Sequence, residues 1–288
     1  MIINKLSLYG LVVSIFSIIA GAIVRATGSG DGCGSSWPTC NGEIIPKLDN
    51  SSELIEFSHR SISGILLIIT LIIFVKSFNS EVPILQKRII WFLTFFVVLE
   101  ALIGAVIVVY EWVGLNSSTP RIIAVPLHLV NTFGLLGTYT LLFYLTKNSK
   151  TSLINFFDRG FKIGLFLFLL SGATGSIAAL ADVIFPSESF ITGLAEDFDS
   201  KSQILTRLRI LHPLFASALS VYLYSEANRL QTEYKVITKN IKLLIFLGIF
   251  LGVLNVVSNI ILPLSILHLL IADLLWIVYV YKSAEKIT

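Results

Sequence analysis

Residues 6–24 read LSLYGLVVSIFSIIAGAIV, a run without a charged side chain. A bilayer core about 30 Å thick is crossed by roughly 20 apolar residues in an α-helix. The run is therefore long enough to span a membrane. Because it lacks a small-residue cleavage site, we interpret it as the first span rather than as a removable signal. Similar runs recur along nearly the whole chain and predict an all-α integral membrane protein.

The composition agrees with this class. Hydrophobic residues make up 55% of the 288 residues and charged residues only 14%, with a mean hydropathy of +0.85. A soluble domain carries about 25% charged residues. Lys and Arg do not gather on a polar domain, so the sequence indicates no nucleic-acid-binding surface.

The apolar runs predict eight transmembrane helices. Their length favours helix, since periodicity alone does not separate a buried helix from a strand. They also lack the alternation of a membrane β-barrel. The predicted helices are 6–26, 56–78, 89–110, 122–146, 161–184, 207–229, 242–261 and 264–282.

The basic residues lie mainly on one side of these helices. The two termini and the connections 76–88, 147–162 and 229–242 hold 14 of the 21 Lys and Arg. Positive charge marks the cytoplasmic side of a membrane protein. We therefore predict a multi-pass protein of the plasma membrane with both termini in the cytoplasm. Two long connections, about 27–55 and 186–206, then fall on the extracytoplasmic side.

The chain has four histidines, and each follows the extracytoplasmic entry of an even-numbered predicted helix. At about 1.5 Å per residue, all four should lie within about 10 Å of the outer boundary. A histidine inside a membrane is costly without a partner, which favours a role as a ligand. The four are His59, His128, His212 and His268.

The two halves of the chain are similar to a parallel repeat of four helices each. Equivalent groups in such a repeat lie at equal depth. The corresponding positions are Leu127-His128-Leu129 with Leu267-His268-Leu269, Gly21 with Gly172, and Glu100 with Asn255. We predict two pseudo-symmetric four-helix bundles, residues 1–150 and 151–288.

Pairing His59 with His128 and His212 with His268 gives one two-histidine site in each half. Four-helix units commonly build cofactor sites from side chains on facing helices, and an iron porphyrin can take two axial histidines. A zinc site fits less well, because it would need three or four protein ligands. Histidines that only hydrogen-bond across helix interfaces are the structural alternative.

The two halves differ beside the histidines. Glu56 lies three residues before His59 and so on the same helix face, whereas Arg209 takes that position before His212. A carboxylate beside a porphyrin could act as a base or stabilise a developing cation. We therefore interpret the first half as the site of the reaction and the second half as a site that only binds its porphyrin. The alternative is a salt bridge from Glu56 to Arg60 or Arg25.

Five arginines near the outer entry level are candidates for contacts with porphyrin propionates, because Arg binds carboxylates through paired hydrogen bonds. They could equally anchor the protein at the lipid headgroups. These residues are Arg25, Arg60, Arg121, Arg207 and Arg209.

Four further residues are candidates for a structural or a chemical role. Cys33 and Cys40 share the first extracytoplasmic connection, where the oxidising environment favours a disulfide; it could be a structural staple or redox-active. Glu100 and Asp273 lie at mid-helix depth, where both structural hydrogen bonding and a proton path are open.

Several motifs together resemble those of the haem A synthases. Residues 21–30, GAIVRATGSG, are similar to the end of that family's first helix, and residues 56–60, EFSHR, to its second-helix motif. The resemblance covers essentially the whole chain. The other matching segments are Cys33, Trp37-Pro38, Cys40, His128-Leu129-Val130-Asn131-Thr132, His212-Pro213, and His268-Leu269 with Trp276.

The resemblance implies oxidation of the C8 methyl group of haem O to a formyl group, which gives haem A for terminal oxidases. It implies that His59 and His128 hold the substrate haem O and that Glu56 serves the oxidation. His212 and His268 would ligate a resident haem b, the cofactor. Haem O synthase, a farnesyltransferase, is a family-level partner, and small residues could also pack helices in a homo-oligomer.

Two other functions stay open. A di-haem transmembrane electron carrier would place its haems on opposite sides of the membrane, whereas all four histidines are predicted on one side. A haem transporter or chaperone would bind without catalysis, and Glu56 in only one half argues against it. 

Overall fold

The computed structural model describes residues 2–47, 50–148, 157–229 and 235–285, with side chains in the helix that begins at Lys235 described from Thr238 onward. Outside the isolated bridge Cys40–Glu43, these residues form no β-structure. The α-helices are α1 (Ile2–Ala26), α2 (Ser51–Lys76), α3 (Ile84–Val109), α4 (Thr119–Lys147), α5 (Arg159–Ile184), α6 (Phe190–Phe198), α7 (Ile204–Arg207), α8 (Leu211–Arg229), α9 (Lys235–Val257) and α10 (Leu262–Glu285). Short 3₁₀ turns lie at Ser29–Asp31 and Leu208–Ile210.

Eight helices in the described ranges are long and apolar enough to cross a membrane, which confirms the predicted class. The sixth span, Ile204–Arg229, joins α7, the second 3₁₀ turn and α8. Large apolar side chains face outward on these helices; Val221 is 71% exposed and Phe246 64%. Exposure of this kind is tolerated where lipid replaces water. Cytoplasmic placement of the termini stays a prediction.

The observed helix ends differ from the predicted ones by local capping. Helix α2 begins at Ser51 rather than near residue 56, because the Asn50 side chain accepts a hydrogen bond from the Glu53 amide at 2.8 Å. Such a cap satisfies an amide that has no partner within the helix. Helix α9 ends at Val257 rather than at 261, since Asn259 and Ile260 adopt positive φ of 57° and 59°. Left-handed backbone interrupts a right-handed helix.

By contacts the chain divides into two compact units. The first takes in Met1–Gly114, Asn131–Phe156 and Tyr279–Thr288, and the second Leu115–Val130 and Phe157–Val278. The predicted division into halves 1–150 and 151–288 stays a prediction, because its boundary lies outside the described residues. Lys150 and Lys286, which entered the charge argument, also lie outside them.

Close helix contacts shape the first unit. The Tyr139 hydroxyl shares a 2.7 Å hydrogen bond with Thr70 of α2, and the same ring fills the space beside Gly10 of α1. The Ser17 and Ser63 hydroxyls lie 2.8 Å apart and join α1 to α2. Small residues and hydroxyls are the usual means of close helix approach in membranes. These contacts fix α1 beside α2, which positions the first histidine.

The second unit is centred on α5. Leu180 and Ala181 of α5 pack with Leu205 of α7, and all three are buried. Further along α5, Phe168 packs edge-to-face on Trp276 of α10 with ring centroids 4.9 Å apart. Helix α5 therefore contacts α7, which leads into the His212 helix α8, and α10, which carries His268.

Candidate functional site

A disulfide loop, defined here as residues 28–43, closes over the start of α2. Cys33 and Cys40 are bonded, with an S–S distance of 2.01 Å, which confirms the predicted disulfide. The Asn41 amide donates to the Cys33 carbonyl at 3.0 Å. Gly42 has a positive φ of 84°, a conformation that glycine adopts at little cost. The loop is thus a compact turn rather than an open connection.

Buried carboxylates of α2 hold this loop. One oxygen of Glu56, Oε2, accepts a hydrogen bond from the Cys33 amide at 2.8 Å. One helical turn earlier, Oε1 of Glu53 accepts from the Asn41 side chain at 3.2 Å. The loop backbone also passes so close to α2 that a Cβ on Gly32 would lie 2.4 Å from the carbonyl carbon of Ser52.

Glu56 also forms a salt bridge with Arg60, one turn later on α2. The Arg60 Nε donates to Oε1 of Glu56 at 3.1 Å, and Nη1 donates to the Ser36 carbonyl at 2.6 Å and to the Thr39 carbonyl. The salt-bridge alternative for Glu56 is therefore present in the structure. Glu56 is only 2% exposed, and a buried charge with a charged partner is held in one place. Its role in catalysis stays a prediction.

His59 lies on α2 one turn from Glu56, at i+3 on the same face. Its imidazole rests against α1, since a Cβ on Gly21 would lie 3.0 Å from the ring atom Cε1. The structure therefore brings Glu56, His59 and the disulfide loop to one end of α2.

His212 and His268 face each other. Their ring centroids are 6.0 Å apart and their ring planes cross at 84°. A metal–imidazole bond is about 2 Å long, so two imidazoles on opposite sides of one metal have centroids roughly 6 Å apart. The spacing fits a pair of axial ligands. The ring planes are nearly perpendicular, and a metal–imidazole bond by itself would impose no particular angle between them.

Backbone carbonyls hold both rings. His212 Nδ1 lies 3.1 Å from the Ser171 carbonyl oxygen, and His268 Nδ1 lies 3.0 Å from that of Gly248. A carbonyl only accepts, so each Nδ1 carries the proton. In a neutral imidazole this leaves the lone pair on Nε2, the nitrogen that a metal then takes. This arrangement would leave Nε2 of both side chains available to a metal, and their role as ligands stays a prediction.

The other predicted pair is divided between the units. His59 belongs to the first unit, and His128, near the beginning of α4, belongs to the second. All four histidines lie in about the first third of their helix or span. The pairing of His59 with His128, and their equal depth with the other two, stay predictions.

Nowhere in the described ranges do three or more His, Cys, Asp or Glu side chains gather as metal ligands. The His212–His268 pair thus offers two side-chain ligands, the number that an iron porphyrin uses. The residues present fit a haem better than a zinc ion.

The five candidate arginines differ in their surroundings. Arg60 is engaged by Glu56 and the disulfide loop. Arg121 is buried and donates to the Asn116 carbonyl at 2.7 Å. Arg207 is exposed. The propionate role stays a prediction for these residues and for Arg25.

Arg209 lies at the centre of an acidic cluster. Its guanidinium pairs with Asp182 at 3.0 Å, Asp197 at 2.7 Å and Glu196 at 3.4 Å. Burial raises the pKa of Asp197, and its hydrogen bond to Arg209 opposes that shift. These contacts fasten α6 to the start of the sixth span. We therefore assign Arg209 a structural role. Its contact with a porphyrin propionate stays a prediction.

The two mid-helix acids differ. Glu100 accepts hydrogen bonds from Asn131 at 2.5 Å and from Thr132 at 2.8 Å, and so joins α3 to α4. Asp273 is 2% exposed, and its Oδ2 has no hydrogen-bond partner among the described residues.

Sequence reasoning missed the glycines beside the histidines. A Cβ on Gly175 would lie 2.9 Å from Cε1 of His212, and one on Gly252 would lie 3.1 Å from Cε1 of His268. Gly21 meets His59 in the same way, so its counterpart in α5 is Gly175 rather than the predicted Gly172.

Comparison with known proteins assigns the family. The family model described as cytochrome oxidase assembly protein, COX15-CtaA, matches residues 4–280. The chain belongs to this family. The match includes every histidine, both cysteines and at least the greater part of every span.

Individual relatives carry two different names. A protein named protoheme IX farnesyltransferase from Thermus thermophilus is 32% identical over 97% of this chain but only 47% of its own length. The chain thus spans about half of that relative. A protein named heme A synthase from Bacillus cereus is 28% identical, covering 92% of this chain and 86% of its own. One with the same name from Lysinibacillus sphaericus is 43% identical over 31% of this chain and 29% of its own.

Proposed function

We propose that this protein is a haem A synthase, which oxidises the C8 methyl group of haem O to a formyl group. The observation that carries the proposal is the facing His212–His268 pair, with ring centroids 6.0 Å apart and each Nδ1 on a backbone carbonyl, in a chain of this family. The Bacillus cereus relative supports it, since both chains are aligned over most of their lengths.

The two sites have different tasks in this proposal. His59 and His128 ligate the iron of the substrate haem O, and His212 and His268 ligate haem b. When bound, haem b supplies one-electron transfer. The asymmetry between the halves supports this assignment. The buried carboxylate of Glu56 lies one turn from His59, whereas the residue three positions before His212 is Arg209, which is ion-paired with acidic side chains.

The overall change at the methyl carbon can be balanced. With water as oxygen source, the carbon loses two hydrogens and gains one oxygen, while four electrons pass to an electron acceptor and four protons are released. The chain's own contribution is position and charge. Glu56 is the acid best placed to receive a proton or to stabilise positive charge near His59, and Arg60 and the Cys33 amide fix its orientation.

The proposal extends to the surroundings of the protein. We place the sites near the extracytoplasmic face of the plasma membrane, following the positive-inside charge distribution. Haem O synthase is the proposed partner, because its product is the substrate. The farnesyltransferase name of the long Thermus relatives is consistent with neighbouring steps, since about half of each lies outside the match.

The test is expression in a host that makes haem O but not haem A, followed by extraction and mass analysis of the haems. We expect haem A with the unaltered protein and none with His59→Ala. Haem b alone at both sites would indicate an electron carrier, and bound haem O without conversion would indicate a chaperone. Appearance of haem O in a second host that lacks it would indicate farnesyl transfer and would contradict the proposal.

A further inference from the structure

We propose that Gly175 and Gly252 are positioning residues for the axial histidines: each provides a gap in its helix through which an imidazole reaches the backbone carbonyl four residues earlier. This inference rests on the proposed haem site at His212 and His268. It assigns a function to two glycines of α5 and α9 that contact no substrate themselves.

The contacts at the two positions are alike. The His212 ring packs on Gly175 and its Nδ1 meets the carbonyl of Ser171; the His268 ring packs on Gly252 and its Nδ1 meets the carbonyl of Gly248. In both cases the acceptor lies four residues before the glycine. The same arrangement thus recurs on two different helix pairs.

Helix geometry explains the spacing. A helical carbonyl points along the axis towards the residue four positions later, whose amide it accepts. A side chain at that later position stands beside the carbonyl and covers it. With glycine there, a ring can lie flat against the backbone and share the carbonyl oxygen.

The cost of these glycines supports a specific role. Glycine inside a helix is about 1 kcal/mol less favourable than alanine. Gly64 of α2 shows the contrast, because a Cβ added there would meet nothing within 4 Å. At Gly175 an added Cβ would meet ring atoms of His212 at 2.9 and 3.0 Å, which no ordinary packing allows without a shift.

The contact between a glycine and a histidine ring recurs in the first unit. A Cβ on Gly21 of α1 would lie 3.0 Å from Cε1 of His59, a distance between those found at Gly175 and Gly252. Close approach of a glycine to a histidine ring therefore occurs on three helix pairs.

Two properties of the ligands follow. The hydrogen bond to the backbone carbonyl keeps the proton on Nδ1, so the lone pair of Nε2 is available to iron. The contact with the glycine fixes the rotation of each ring, and together the two contacts set the 84° angle between the ring planes. An added methyl group should displace or rotate the imidazole.

The experiment compares Gly175→Ala and Gly252→Ala with two controls in the full-length protein. Gly64→Ala adds a methyl group in open space, and Gly134→Ala adds one against the Phe96 ring, at 2.4 Å, away from any histidine. Haem b per chain is measured by extraction against immunoblot abundance, and ring geometry by electron paramagnetic resonance of the low-spin ferric haem.

We expect Gly175→Ala to retain haem b about tenfold more weakly, the usual size of an outer-shell effect, and to shift the resonance spectrum. Gly252→Ala should change the same quantities less, because its Cβ contact is longer. The Gly64→Ala variant should match the unaltered protein, and Gly134→Ala should lower abundance without changing the spectrum of the haem that remains.

Clear outcomes would overturn the inference. Unaltered haem content and spectrum in both glycine variants would do so. So would losses of abundance equal to that of Gly134→Ala with no change in haem per chain, since the glycines would then serve packing alone. If the unaltered protein holds no haem b, or if His212→Ala leaves haem b in place, the proposed function fails instead.

Discussion

At the scale of single residues, Glu56 forms the salt bridge with Arg60 that sequence reasoning offered as the alternative to a catalytic role. It also accepts a hydrogen bond from the disulfide loop, one turn away from His59. A carboxylate with both oxygens engaged is held rigidly, and a rigid charge is what electrostatic catalysis requires. The ion pair therefore does not compete with a function in the oxidation.

Glu56→Gln should leave haem binding intact and reduce formation of haem A about a hundredfold, the usual size of an acid–base contribution. Glu53→Gln is the matched control, since Glu53 is also buried and contacts the same loop through Asn41. The measurement is haem A formed per bound haem O. Equal losses in both variants would assign Glu56 to loop packing alone.

At the scale of elements, α6 is an amphipathic helix with distinct faces. Its acids Glu196 and Asp197 bind Arg209, while Ile191 is 78% exposed and Phe198 71%. The helix joins two spans, so its apolar side chains suit the lipid interface. Arg209 thus holds α6 in place and neutralises carboxylates that would otherwise lack a cationic partner.

Arg209→Ala should destabilise the protein by about 3 kcal/mol, because it leaves partly buried acids without their cation. Because burial raises the pKa of Asp197, that carboxyl loses its charge more readily as the pH falls, so the loss should be larger near pH ~8 than near pH ~5. Thermal unfolding in detergent at both values measures the effect. Arg207→Ala, which alters an exposed residue two positions earlier, should be nearly neutral; an equal loss there would contradict the assignment.

The disulfide loop is the second element with a defined task. Cys33 and Cys40 close a short ring whose backbone contacts Glu56 and Arg60. A covalent closure of this length restricts the unfolded chain, and by chain entropy it contributes about 2 kcal/mol.

Replacing both cysteines, Cys33→Ser with Cys40→Ser, should speed proteolysis of the loop and lower haem A formation while leaving haem b bound. Peptide mapping after limited proteolysis and haem extraction measure these effects. Unaltered proteolysis together with full haem A formation in the double serine variant would show that the disulfide supports neither the loop nor the reaction.

At the scale of the whole molecule, the facing pair His212 and His268 predicts how much haem b the protein should carry. His212 and His268 face each other within one unit, so under the proposed function this site should hold haem b without any contribution from His59 or His128. The proposed haem b site should be occupied in the purified protein, whereas the proposed substrate site is filled only when haem O is present.

Protein purified from a host without haem O should carry about one haem b per chain if each bis-histidine site binds one porphyrin. His268→Ala should lose it, and His59→Ala should retain it. Pyridine haemochromogen spectra against protein concentration give the ratio. Loss of haem b in His59→Ala with retention in His268→Ala would reverse the assignment of the two sites.

The sequence by itself determined the eight membrane spans and the disulfide between Cys33 and Cys40. Apolar length and the high cost of polar groups in lipid are local properties, so they can be read without coordinates. Only the tertiary structure decided that Arg60 and Arg209 are engaged by carboxylates, and that Gly175 rather than Gly172 meets a histidine. Those facts depend on the rotation and close approach of neighbouring helices, which side-chain packing sets across segments distant in the chain.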